Sequence, residues 1–293
     1  TCHNFRFFCA NGLFMRNGRV CEDCIGRLPL GGVAHGCYRD SRIYTLPLAA
    51  AEGFHRIRGT WSKKIDTYIA LTTFGKRKVV ECGLPSGKVF IKPNFLFRPP
   101  EPSSLFGDSI VFIGRLSREK GIETLLDAFA MVQRAAHKNI TLRLVGDGPL
   151  RQEIERKIAN ERIRNVELTG RKGFSESMAI LREARFMVMP TLCYEMFPLT
   201  TIEAFACGKA VIGSRRGAME EIIEEGKTGL LFSPSDPRDL ASKIGVMLED
   251  EAFATEMGGN ARAEFEAKYT AERNFEILMD IYRNVLNGRN MGK

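Results

Sequence analysis

From Ile110 onward, short apolar runs alternate with helix-period segments so regularly that few folds can accommodate the chain. The runs Ile110–Ile113, Ile140–Val145, Val166–Leu168, Phe186–Met189, Ala210–Ile212 and Gly229–Phe232 are bounded by Gly or Pro. They are short and largely apolar and read as buried strands. Segments near 121–136, 149–161, 175–184, 199–207, 217–225 and 236–249 carry the helical period between them. Strand, helix and strand joined by short links predict a parallel, doubly wound α/β sheet. Two more helices, near 251–267 and 270–287, close the chain. A sheet of this kind meets its ligands at the carboxyl ends of its strands, so the loops that follow strands are where chemistry is sought.

The first hundred residues read differently. A Cys-rich, Gly-rich stretch precedes a helix from Arg42 to about Ala51, a strand at Thr67–Leu71, a helix at Phe74–Cys82 and a strand at Val89–Lys92. That is about one and a half βα units, too little for a doubly wound domain. Four prolines in the thirteen residues Lys92–Ser104 read as a linker. The expected organisation is therefore an α/β remnant over 1–93 with a Cys-rich insert at 9–37, and a linker over 94–109. A complete α/β domain follows over 110–270, then a helix over 271–293 that packs back toward the amino-terminal part. A length of 293 residues fits two domains. No run of 18 or more apolar residues is present to span a bilayer.

Charge separates the two regions. Residues 1–100 hold 16 Lys and Arg against 6 Asp and Glu, whereas the remainder holds 27 against 29. An anionic partner (a phosphate, a lipid headgroup or a nucleic acid) is expected to meet the basic first region. Four of the eight cysteines crowd there as Cys9, Cys21, Cys24 and Cys37, spaced C-x11-C-x2-C-x12-C. One CxxC knuckle plus two further thiols suits a structural zinc ion, with His35 as a substitute ligand. An iron–sulfur cluster and four unliganded thiols are the other readings. With no export signal at the start, disulfides are not expected.

Three strand-end stretches carry chemistry. In Phe112-Ile-Gly-Arg-Leu-Ser-Arg-Glu-Lys-Gly121 a strand ends at Gly114, and Arg115 and Lys120 lie five residues apart before a helix. A guanidinium and an ammonium so placed can reach one diphosphate. As an isolated pair they are equally two solvated charges. Val145-Gly-Asp-Gly-Pro-Leu150 is a second Gly loop opening a helix, a pattern common to many α/β turns. In the third, Met189 to Ala204, a loop carries Glu195 and a helix starting near Leu199 carries Glu203. The free N–H groups around Leu199–Thr201 form an anion site, and the flanking carboxylates suit a ligand with hydroxyls on either side of its phosphates.

These three stretches, with Glu221-Ile-Ile-Glu-Glu-Gly-Lys-Thr-Gly-Leu-Leu-Phe, resemble the carboxyl-terminal half of the group 1 (family 4) retaining glycosyltransferases of the GT-B fold. The resemblance runs from about Ile110 to the end. It implies that Gly114, Arg115 and Lys120 bind the donor diphosphate and that Glu203 holds the nucleotide ribose. It places Glu195 by the transferred sugar and assigns Phe197, Leu199 and Thr200 backbone contacts to donor phosphate and sugar. Arg171 and Lys172, after Thr169-Gly170, would frame the base. Met196 and Pro198 stand where glycines are commoner in the family, and Ala218 where a second glycine often follows Gly217. The opening His-Asn-Phe-Arg, Gly-Cys-Tyr-Arg and Ala-Leu-Thr-Thr-Phe resemble a subgroup of the same family, mapping its active-site His to His3.

The resemblance implies transfer of a sugar from a nucleotide-diphosphate sugar to an acceptor hydroxyl with retention, in polysaccharide or glycolipid synthesis. The acceptor would be a saccharide or lipid-linked, the location cytoplasmic and peripheral to an anionic membrane, and no catalytic metal is expected. The opening at Thr1 leads to the expectation that about a hundred residues of a whole amino-terminal domain are missing and that this length of chain is inactive alone. Two alternatives stay open: a nucleotide-sugar epimerase on the same fold, and a zinc-pinned basic module binding nucleic acid through Phe54–Lys64. Only the second calls for a nucleic-acid partner.

Overall fold

The computed structural model describes residues 1–103, 107–135 and 140–290. The chain divides into two compact units. Unit 1 comprises Thr1–Asn94, Cys193–Phe197 and the chain from Ala271; unit 2 comprises Phe95–Leu192 and Pro198–Thr270.

In unit 1, strands β1 (Met15–Arg16) and β2 (Arg19–Val20) form an antiparallel hairpin. Its Asn17-Gly18 turn has φ of 51° and 74°, the two positive values that a type I′ connection requires. Strands β3 (Tyr68–Ala70) and β4 (Val89–Ile91) pair in parallel, with the helix Thr73–Glu81 in the crossover between them. Thr72 caps that helix by accepting the Gly75 N–H at 2.9 Å. The helix expected to stop near Ala51 runs over Arg42–Ile57 instead. Gly53 allows this: the helix packs there onto Leu28 and Pro29, which lie within 4 Å of where a Cβ would sit. The helix ends only at Gly59, in the left-handed conformation that terminates helices.

Unit 2 is built on a six-stranded sheet. Its strands are β5 (Ser109–Ile113), β6 (Thr141–Val145), β7 (Val166–Gly170), β8 (Phe186–Met189), β9 (Val211–Ser214) and β10 (Gly229–Phe232). The order is β10-β9-β8-β5-β6-β7 with every pair parallel, the doubly wound α/β sheet expected from the sequence. Ile110, Phe112, Leu142, Leu144, Phe186, Val188 and Ile212 form one core with Leu125, Phe129, Leu240 and Ile244 from the helices Ile122–Ala135 and Pro237–Glu249. Val111, Met187 and Val211, whose side chains alternate to the other face, are equally buried. Covering both faces is what makes Ile110–Ile113, Phe186–Met189 and Ala210–Ile212 continuously apolar, whereas β7 at the sheet edge carries an exposed Glu167.

One helix is much shorter than expected. Of 217–225, only Met219–Ile222 is helical. Ile223 turns to extended backbone, and its Cδ1 lies 2.5 Å from where a Cβ on Gly213 would be. Burying Ile223 against the strand takes precedence over continuing the turn.

The expected zinc set is not assembled as the side chains stand. None of the eight cysteines is in a disulfide, and among the described residues no three His, Cys, Asp or Glu side chains are grouped to hold a metal ion. No helix among the described residues is long and apolar enough to cross a membrane.

Candidate functional site

At the carboxyl end of the unit 2 sheet, three loops distant in sequence are joined backbone to backbone. The Gly114 N–H donates to the Val145 carbonyl (3.0 Å), Leu116 N–H to the Asp147 carbonyl (3.0 Å) and Leu150 N–H to the Leu116 carbonyl (3.0 Å). Leu192 N–H and Thr191 Oγ1 both donate to the Glu119 carbonyl, at 2.8 and 3.1 Å. Ser214 Oγ then donates to the Thr191 carbonyl at 2.7 Å. The loop bearing Gly114, Arg115 and Lys120 is thus clamped between the second Gly loop and the start of the third motif.

Two glycines make the clamp possible. A Cβ on Gly146, whose φ is 146°, would lie 1.9 Å from the Gly114 carbonyl oxygen. A Cβ on Gly121, with φ 68°, would lie 1.9 Å from the Pro190 carbonyl oxygen. Both positions need left-handed backbone and bare Cα hydrogens at once. On this frame Arg115 is exposed and Lys120 half-buried. Arg115 has no ion pair with any described residue.

The third motif is divided between the units. In unit 2 the helix Leu199–Ala206 starts at Pro198, with no side-chain cap and no acidic residue in its first turn. The N–H groups of Leu199 and Thr200 have no partner within the helix, and the dipole leaves that end positive. Leu199 is exposed there. Glu203 lies in the next turn, half-buried, and burial raises its carboxyl above the usual range. Ionised Glu203 therefore costs the fold something that unfolding relieves. Below the unfolded carboxyl value both states are protonated and the cost vanishes; it grows as pH rises toward the raised folded value. Glu203→Gln is expected to stabilise the chain at neutral pH, with the gain fading on acidification, as urea titrations at several pH values would read.

In unit 1 the segment Cys193–Phe197 rests on the start of the helix Thr73–Glu81. Thr72 Oγ1 donates to the Met196 carbonyl at 3.3 Å, and the Tyr194 ring meets Phe74 edge-on at 4.8 Å. Lys78 Nζ, held by Glu22 and Glu81 at 2.8 Å each, lies 5.5 Å from the Tyr194 ring centre. Met196 Sδ packs over Gly75, 3.2 Å from where a Cβ would be, so the bulk that replaces a glycine at 196 is taken up by a glycine at 75. Glu195 is half-buried and Phe197 buried in this segment. His3 belongs to the same unit, exposed, next to Cys2, whose N–H donates to the Ile69 carbonyl of β3 at 2.8 Å.

Arg171 and Lys172 follow β7 at the same end of the unit 2 sheet. Both are exposed, and Lys172 is paired to Glu176 at 3.3 Å. Glu176 also accepts the Gly173 N–H at 3.1 Å, so Lys172 belongs to the start of the helix Phe174–Glu183. Sequence reasoning missed Thr191, Ser214 and Arg216, the last donating to the Leu192 carbonyl. Their only signal is a polar residue at each strand's carboxyl end.

Residues 107–250 match the profile of a family described as "Glycosyl transferases group 1". An uncharacterized glycosyltransferase of Methanocaldococcus jannaschii is 32% identical over 175 residues, 60% of this chain and 48% of the relative. The chain spans about half the length of the curated relatives it matches. Among solved structures, a sucrose-phosphate synthase from Thermosynechococcus elongatus superposes with a TM-score of 0.68 at 26% identity, over 89% of this chain and 67% of that one. An Anabaena protein, HepE, crystallised with UDP and glucose, superposes with a TM-score of 0.66 at 20% identity over 76% and 63%. The fold is that of the GT-B glycosyltransferases. Neither the epimerase nor the nucleic-acid reading draws support from these likenesses.

Proposed function

We propose that this chain carries the donor-binding part of a glycosyltransferase that moves a sugar from a nucleotide-diphosphate sugar to an acceptor hydroxyl with retention, in polysaccharide or glycolipid synthesis. The observation that carries the reading is the clamped loop in unit 2, which holds Arg115 and Lys120 at the carboxyl end of the sheet that also presents the uncapped start of the helix Leu199–Ala206. When the bond between the anomeric carbon and the diphosphate oxygen breaks, negative charge gathers on the leaving diphosphate. Two cationic side chains and the N–H groups of Leu199 and Thr200 stabilise that charge, and being pre-positioned they need no reorganisation as it develops. Gly114 gives the backbone close approach, Phe197 adds a main-chain contact, and Glu203 accepts from the ribose hydroxyls. Glu195 and His3 act at the transferred sugar, while Arg171 and Lys172 frame the base. UDP and glucose in the Anabaena structure support a donor of this chemical class.

A saccharide or lipid-linked acceptor belongs to the same reading. The helix Arg42–Ile57 exposes Ile43, Tyr44, Leu46, Phe54 and Ile57 beside Arg42 and Arg58, a composition that suits an anionic membrane surface. Calorimetric titration with UDP, GDP and ADP tests the central claim. At least one nucleoside diphosphate should bind more tightly than its nucleoside. Equal binding of diphosphate and nucleoside for all three bases would sink it.

A further inference from the structure

The four cysteines crowded near the amino terminus are not used by any step above. Cys9, Cys21, Cys24 and Cys37 line one small, partly open cavity together with His35 and Arg16, with room for about one water molecule. They reach it from four separate turns. Cys9 closes a turn in which its N–H donates to Phe5, Cys21 leaves the β1–β2 hairpin with its N–H on Phe14, and Cys37 ends a short helix with its N–H on Gly32. Cys24 comes in beneath that helix, its Sγ 3.8 Å from where a Cβ on Gly31 would be.

Three observations say what the cavity takes. Asp23, the carboxylate on the cavity lining, is already engaged by Arg16 at 3.2 Å, which leaves the four thiols and the His35 ring as the donors facing inward. Arg16 meets Asp23 through Nη2, but its Nη1 is buried with no hydrogen-bond partner among the described residues, a spare donor on the cavity wall. And the stretch is weakly held by its own secondary structure: two strands of two residues and a helix of five.

We propose that Cys9, Cys21, Cys24 and Cys37 hold one structural zinc ion, with Arg16 balancing the charge of the site. Four thiols give up four protons to solvent as Zn2+ binds, leaving a tetrathiolate of net charge −2 with no change of oxidation state. The Arg16 guanidinium then donates to a bound sulfur, the outer contact such sites rely on. As they stand no three of these side chains are grouped to hold a metal ion, so the thiols reorient on binding, and Cys9 must leave the Asn11 Oδ1 to which it now donates at 3.0 Å. Zinc thereby pins a segment whose strands and helix are short.

The test is metal analysis of the full chain, purified under a non-thiol reductant and without a metal-affinity step. About one zinc per chain is expected. Cys24→Ser and Cys37→Ser should each lose it, while Cys82→Ser, a buried thiol outside the cavity, should keep it. Should the variants fail to fold, cobalt titration of the native chain replaces them: sulfur-to-cobalt charge-transfer bands with tetrahedral visible bands, bleached by zinc, are the expected result. Native chain that holds no zinc and gives no such bands overturns the proposal. So does iron with labile sulfide, or an intact mass showing the four cysteines joined in two disulfides.

Discussion

Replacing Gly146 by alanine should lower the unfolding free energy of the chain by about 2–5 kcal/mol, the sum expected for backbone strain and overpacking together. The added Cβ would lie 1.9 Å from the Gly114 carbonyl oxygen and 2.9 Å from its carbon, so one loop must move. Neither is free to do so. Gly114 N–H is bonded to Val145 on one side and Gly146 N–H to the Gly170 carbonyl on the other. Parting the loops gives up those bonds in a site that has no spare ones. Gly245→Ala is the control, since nothing lies within 4 Å of its would-be Cβ on an ordinary helix. It should be stabilising by up to about 1 kcal/mol. Urea denaturation of the two variants separates these cases, and equal midpoints would show that the loops are not clamped.

Arg115→Ala should weaken binding of a nucleoside diphosphate by about 10- to 150-fold, the 1.5–3 kcal/mol range for a hydrogen bond to a charged group. Lys120→Ala should lose a similar amount. Arg115 has no competing ion pair with a described residue, so its loss falls on the ligand. Lys172→Ala is expected to matter much less, because that ammonium is already committed to Glu176. Calorimetry on the three variants reads the difference. If Arg115→Ala and Lys120→Ala bind UDP, GDP and ADP as the native chain does, the diphosphate does not sit on this loop.

The central strands of unit 2 were legible because they are buried on both faces, which writes a continuous apolar run into the chain; edge strand β7, with Glu167 exposed, was legible only from its bounding residues and its place in the alternation. That Arg115 and Lys120 lie in a loop after a strand, and Glu203 in the helix that follows another, was legible because strand-end segments are few and their polar residues stand out between such runs. The stretch 217–225 was misread because Ala218, Met219, Ile222 and Ile223 are all buried, and burial alone cannot tell one helical turn from three. The helix Arg42–Ile57 was cut short because nothing local announces that Gly53 is a packing site rather than a breaker.

Local pattern is a property of neighbours along the chain: strands, helix starts and the cysteine spacing follow from apolar period, capping residues and glycine placement, and the sequence alone determined them. Which distant segments touch depends on free energy gained only after collapse. Tertiary structure alone decided that Cys193–Phe197 rests on the helix after Thr72, that Gly146 and Gly121 let three loops share their backbone bonds, and that four thiols and an unpartnered arginine nitrogen face one cavity. Each of these contacts satisfies or strands a polar group whose partner lies far off in sequence, and no reading of local residue pattern contains that pairing.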